Sequence, residues 1–204
     1  MPNGQAEYLL RMTELLTARL CHELVSPVGA IGNGIEILAE DASFATEALN
    51  MVGDSARHIA RQLQFYRIAY GSTAPVPFER ARAATLALFA DGRTPCLWPT
   101  TFAVPSEHIK LATNLMLLAS EALPRGGRVE LCEAGNGGFG AVAKGDRARL
   151  PQDLTEILEG RATAASLDPR NIQGAFTKLL AERAGLVLTA TTEEGRVGFE
   201  LKPV

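Results

Sequence analysis

Between residues 7 and about 40, apolar side chains fall at Leu9, Met12, Leu16, Leu20, Leu24, Val28, Ile31, Ile35 and Leu38. Spacings of three and four draw one stripe along a long helix. A second stripe, Leu49, Val52, Ala56, Ile59, Leu63, Tyr66 and Tyr70, predicts another helix over 44–70 with heptad character. Asp41, Ala42 and Ser43 make a short polar connection, which sets the two helices antiparallel as a hairpin. Two helices cannot enclose a core, so the apolar seam predicts pairing with a second copy into a four-helix bundle. Gly71-Ser-Thr-Ala-Pro-Val-Pro77 is rich in helix breakers and places a domain boundary between a hairpin domain, 1–72, and a second domain, 78–204.

Beyond the linker the period changes. Helices are predicted over 79–90, 107–123, 151–160 and 171–184. Strands are predicted over 128–133 and 138–143, joined by the turn Ala134-Gly-Asn-Gly137, and over 186–191 and 196–202 around Glu193-Glu-Gly195. The fold class is α+β: a helical hairpin followed by a domain whose sheet is covered by helices.

Composition narrows the function classes. The chain has 204 residues, 47% of them hydrophobic, and a net charge of −3. Mild acidity argues against a partner read through its phosphate backbone, so no nucleic acid is expected. Cys21, Cys96 and Cys132 are odd in number and far apart, which suits a reducing compartment better than a disulfide framework. The charged N-terminal stretch does not read as a signal peptide, and no run approaches a membrane span, so a cytoplasmic protein is expected.

Three histidines remain to be weighed. His22 lies nearly opposite the apolar stripe, on a face with Arg11, Arg19, Ser26, Gly29 and Asn33. Small Ser26 and Gly29 leave the ring uncovered, and Pro27 removes the N–H that would bond the Glu23 carbonyl, predicting a local weakness or bend beside it. His58, among Asp54, Arg57 and Arg61, reads as part of a solvated face. His108 opens a helix, with Ser106 as its expected cap and a structural role for the ring. The scatter of the three makes a metal site unexpected.

The run Leu20-Cys-His-Glu-Leu-Val-Ser-Pro27 resembles the H-box of sensor histidine kinases, where a phosphoacceptor histidine is followed at once by an acid and five residues on by proline. The longer run CHELVSPVGAIGNGIEIL is similar to the ChpT-type histidine phosphotransferases, over essentially the whole chain. The resemblance implies a dimeric bundle plus an α/β sandwich of the histidine-kinase ATPase (Bergerat) type. It also implies that His22 is the nucleophile, that Glu23 orients its ring, and that Arg19 and Ser26 meet a phosphoryl group or a partner's acidic pocket. Exposed Val25 and small Gly29 would pack against a receiver domain, with Arg11, Arg19 and Asn33 as a polar rim.

An active kinase of that type would carry an ATP site in the second domain, and its pattern decays here. The N-box-like stretch Asn114 to Gly127 has Leu118 where a magnesium-binding asparagine belongs, and leucine cannot coordinate a hard cation. Lys144-Gly-Asp-Arg-Ala-Arg-Leu-Pro151 stands where a DxGxG loop is expected, with Arg147 and Arg149 in place of glycines; a shift of one leaves Asp146 as the adenine-reading candidate. Leu167-Asp-Pro-Arg-Asn-Ile-Gln-Gly174 offers one glycine, too few to cradle a triphosphate. Gly135-Asn-Gly-Gly-Phe-Gly140 reads as a hairpin turn rather than a phosphate loop.

The leading expectation is a homodimeric phosphorelay intermediate that moves a phosphoryl group between receiver aspartates, binding no cofactor itself and relying on magnesium held by the receiver. The alternatives are an ATP-using histidine kinase with a divergent site, a non-catalytic dimeric scaffold, and a receiver phosphatase using Ser26 to place water.

Overall fold

The computed structural model describes residues 2–71, 74–90, 92, 94–101, 104–135, 138–150 and 153–203. Helix α1 (Pro2–Glu40) runs unbroken through Pro27, its one internal proline, so the expected local weakness does not interrupt it. A 3₁₀ turn (Ala42–Phe44) leads into α2 (Ala45–Tyr66), which packs along α1 as the hairpin. The predicted end of the second helix at Tyr70 is instead a π-helical turn, Arg67–Gly71. Its extra residue per turn rotates the chain so that Phe65, Tyr66, Ile68 and Ala69 are all buried.

The second domain comprises α3 (Phe78–Phe89), β1 (Cys96–Leu97), a 3₁₀ turn (Ser106–His108), α4 (Ile109–Glu121), β2 (Arg128–Glu133), β3 (Phe139–Lys144), α5 (Leu154–Leu158), α6 (Ile172–Arg183), β4 (Leu186–Glu193) and β5 (Arg196–Pro203). The sheet order is β1-β2-β3-β5-β4, antiparallel except for the β1–β2 pair. Register puts Val129, Ala143 and Val197 in one row and Leu131, Ala141 and Phe199 in the next, all on the face beneath the helices. Their strand neighbours Glu130, Cys132 and Glu200 stand on the opposite, partly open face. This is the expected α+β fold.

Four details differ from the sequence reading. β1, two residues long, is too short to show a period. α5 is one turn and a half, and residues 151 and 152 of its predicted span lie outside the described residues, as do Asn136 and Gly137 of the β2–β3 turn. Ser106 does not cap its helix; its hydroxyl donates to Glu107.

The fourth concerns α1 itself. Met12 and Leu15 are buried in the core of the second domain, where α1 meets α6 and the turn at Ala164–Ser166, while Leu9 is exposed. The first half of α1 therefore faces the second domain. Farther along, Val28 and Ile35 on α1 and Leu49 and Leu63 on α2 are each half or more exposed. A smaller cluster, Phe65, Tyr66, Ala69 and Leu117 with Leu20 and Leu88 against it, seals the base of the hairpin to α3 and α4. No described helix is long and apolar enough to cross a membrane.

Candidate functional site

His22 sits midway along α1, exposed, and its imidazole makes no hydrogen bond among the described residues. It stands on the lip of a cleft of about 1160 Å³ between α1 and the second domain. Arg19 and Glu23 line the same cleft from α1, and Glu121, Arg149, Asp153 and Arg170 line it from the other side. Arg149 and Arg170 are exposed, and neither side chain is in an ion pair among the described residues. Such guanidinium forks suit carboxylate and phosphoryl oxygens.

Arg19 is not the free rim residue that the sequence suggested. Its Nε donates to Glu23 Oε1 at 3.2 Å, and its Nη1 lies 2.6 Å from Glu121 Oε1 on α4. Burial opposes the guanidinium charge, but the Glu121 and Glu23 carboxylates more than offset it and raise its pKa, so the cation is permanent. It is committed to two carboxylates rather than held out for a phosphoryl group. Glu23 is likewise occupied. Its Oε2 accepts a hydrogen bond from the Tyr66 hydroxyl of α2. Burial and this bond hold the Tyr66 phenol far above the usual range. The carboxylate thus positions the helix that carries His22, and no hydrogen bond joins it to the ring.

Glu121 is the only charged residue of the run from Leu111 to Leu123. Both its oxygens are sealed from solvent, and neither has an aligned hydrogen-bond donor. Burial pushes its pKa up to about 7, outweighing the attraction of Arg19.

Ser26 and Glu23 also line a second groove, about 760 Å³, shared with His58 and Arg61 of α2. His58 is half-buried and lines this open groove with Asp54, Arg57 and Arg61, the neighbours read from the sequence. Val25, Gly29 and Asn33 are exposed farther along α1 and line neither cavity; an added Cβ at Gly29 would meet nothing within 4 Å. His108 is placed against Phe139, consistent with a structural ring.

The three stretches aligned with a kinase nucleotide site contribute Glu121, Pro124, Arg149, Leu150, Pro169 and Arg170 to the cleft beside His22, while other positions of theirs are taken up by packing. Leu118 is buried in the core, and Gly174 of α6 approaches so closely that an added Cβ would overlap Leu154. Asn114 is fully buried and committed: its Nδ2 donates to the carbonyls of Ala69 and Lys110, each at 2.8 Å, and its Oδ1 accepts from Gln173 at 3.0 Å. Gln173 Oε1 in turn accepts from Tyr70 at 2.6 Å. This polar chain fastens the end of the hairpin to α4 and α6. Arg147 adopts a left-handed conformation (φ 60°) in the turn that replaces the glycine-rich loop. Among the described residues no group of three His, Cys, Asp or Glu side chains is disposed to hold a metal ion.

Comparison with known proteins agrees on a single family. Residues 78–196 match the histidine phosphotransferase C-terminal domain. The protein phosphotransferase ChpT of Brucella abortus (strain 2308) is 33% identical over 195 residues, covering 91% of this chain and 93% of that one. A solved bacterial phosphotransferase structure superposes with a TM-score of 0.81 at 30% identity, covering 95% of this chain and 96% of the other. With an exposed histidine at the lip of the interdomain cleft and similarity along nearly its whole length, the chain belongs to the ChpT-type family of histidine phosphotransferases, proteins of two-component phosphorelays.

Proposed function

We propose that His22 accepts a phosphoryl group from the aspartyl phosphate of one response-regulator receiver domain and passes it to the aspartate of another. The observation that carries this is the exposed, unbonded imidazole of His22 on the lip of a cleft whose far wall presents Arg149 and Arg170. A ring nitrogen lone pair attacks phosphorus, the bond from phosphorus to the aspartate oxygen breaks, and that aspartate leaves as a carboxylate. The ring keeps the proton on its other nitrogen through the step, and the reverse attack by a second receiver's carboxylate restores neutral imidazole. The arginines face the acidic receiver pocket and the charge spread over the transferring oxygens. Val25, Gly29, Ser26 and Asn33 give the receiver a surface along α1. Magnesium belongs to the receiver, and this chain takes neither ATP nor a metal of its own, because Leu118 and Asn114 are used for packing and for fastening the hairpin.

The test is transfer from a radiolabelled phosphorylated receiver with magnesium, beside a lane with labelled ATP alone. Acid-labile label on the protein from the receiver, with the ATP lane blank, is the expected result. Label from ATP would establish a kinase, and no label from any receiver would leave a scaffold.

The working unit is a homodimer. Val28, Ile35, Leu49 and Leu63 form an apolar seam at heptad spacing on the side of the hairpin away from its own core. Burying one such side chain is worth about 1.5–3 kcal/mol, and two-fold symmetry counts it twice. Leu49→Glu is expected to weaken the dimer by about a hundredfold or more. Sedimentation equilibrium checks this, and an unchanged monomer–dimer constant would rule out this seam as the interface.

A further inference from the structure

We propose that Glu121, on the second domain, is a positioning residue for phosphoryl transfer at His22: through Arg19 it ties the turn of α1 that carries the histidine to α4, so a residue that touches neither reactant sets the pose of the nucleophile. The inference rests on the reading of His22 as the phosphoacceptor.

The geometry is a relay of two carboxylates through one cation. Glu23 follows His22 directly and is held by Tyr66 on one oxygen and by Arg19 on the other. Arg19 lies one helical turn before Glu23 and reaches Glu121 with its remaining arm. Three elements, α1, α2 and α4, therefore converge on the turn bearing His22; α4 contributes Glu121 to the ionic relay and Leu117 to the apolar cluster below it. The core explanation for such a residue fails, because an acid with sealed, misaligned oxygens is a poor choice for packing. What the acid supplies is a second, charged anchor: an amide oxygen could accept from Arg19 but carries no charge, and an alkyl group could do neither.

Its titration supports the same role. The charged groups around Glu121 are Arg19 and Glu23 from α1, with Tyr70 of the π turn contributing a smaller interaction; Arg149, Asp153 and Arg170 line the same cleft. With its pKa near 7, Glu121 is an anchor only in its ionised form, and protonation releases the second arm of Arg19. The sign for stability is opposite. A folded pKa raised above the ordinary 4.5 means that this group's contribution is fully present below about pH 4.5 and is lost as pH rises through about 7. The anchored state is thus the less stable one, which is the pattern of a residue kept for function.

The experiment is receiver-to-protein transfer in the full-length chain, at saturating receiver, from pH 6 to pH 8. Glu121→Gln is expected to slow the saturating rate by about tenfold at pH 8, with the half-saturating receiver concentration within about twofold of the wild type. The ratio of wild-type to variant rates should fall toward one at pH 6, where the wild-type carboxyl is protonated. Taking the ratio cancels the pH effects that the two proteins share. In an Arg19→Met background, Glu121→Gln should change nothing further, because the path runs through Arg19. Glu121→Asp keeps the charge but is one methylene shorter, and should give an intermediate rate with the wild-type pH dependence; it also serves if the glutamine variant melts early. A pH-independent ratio, a wild-type rate in Glu121→Gln at pH 8, or additive losses with Arg19→Met would each overturn the proposal while leaving His22 as acceptor. A wild type that takes no label would overturn the His22 reading, and this one with it.

Discussion

Label from a phosphorylated receiver is expected to disappear when His22 is replaced by alanine, a loss on the order of 10⁴-fold or more, as for removal of a nucleophile that no neighbour can replace. The replacement should leave the fold intact. His22 is exposed on an uninterrupted helix and makes no hydrogen bond among the described residues, so its removal shifts stability by about 0.5 kcal/mol at most. An unchanged thermal melt beside a blank transfer lane therefore assigns the loss to chemistry. His58, in the neighbouring groove, provides the control: a His58→Ala protein that still takes label excludes it as acceptor. Residual labelling of the His22→Ala protein at a tenth of the wild-type rate would place the acceptor elsewhere.

Restoring a kinase-like asparagine at Leu118 is expected to destabilise the protein by about 4 kcal/mol without creating a nucleotide site. Leu118 is buried beneath α5 and α6, so the change removes apolar packing and leaves a polar amide where Leu154 and Gly174 offer no partner. The first asparagine of the motif, Asn114, is already bonded to Ala69, Lys110 and Gln173, and releasing it would loosen the base of the hairpin. Urea denaturation measures the first effect and calorimetric titration with a magnesium–nucleotide complex the second. A Leu118→Asn protein as stable as the wild type, or one that bound nucleotide, would show that the domain has kept more of an ATP site than its packing indicates.

Much of this was legible in the sequence because period and punctuation are local. The hairpin helices, the four longer strands and α4 follow from spacings within a few residues, and the burial of Leu118 follows from its place in the apolar run of α4. What escaped depends on distant partners. The burial of Met12 and Leu15 requires α6 to be in place, and the stripe drawn through Leu9 and Leu16 assigned the wrong neighbours to the first half of α1. The π turn after Tyr66 is invisible to a count of threes and fours. Arg19 looked like a surface cation because its second carboxylate stands 102 residues later, and Tyr66 looked like a seam residue because its hydroxyl partner, Glu23, is on the other helix. Glu121 carried one signal that was there to be read: a lone acid in the otherwise uncharged run from Leu111 to Leu123.

The burial of Met12 and Leu15 has a kinetic corollary. Ten residues of one unbroken helix, about 15 Å, separate Met12 from His22, so His22 and the cleft wall opposite it share a single ruler. A histidine kinase must bring a tethered nucleotide domain to its histidine and then clear the way. The reaction proposed above needs no such journey: in it a receiver arriving loaded and one arriving empty meet the same surface. Under the proposed reaction, turnover is then paced by the docking and release of receivers. The balance between donor and acceptor is set by the relative stability of their two acyl phosphates, with this protein lowering the barrier equally in both directions.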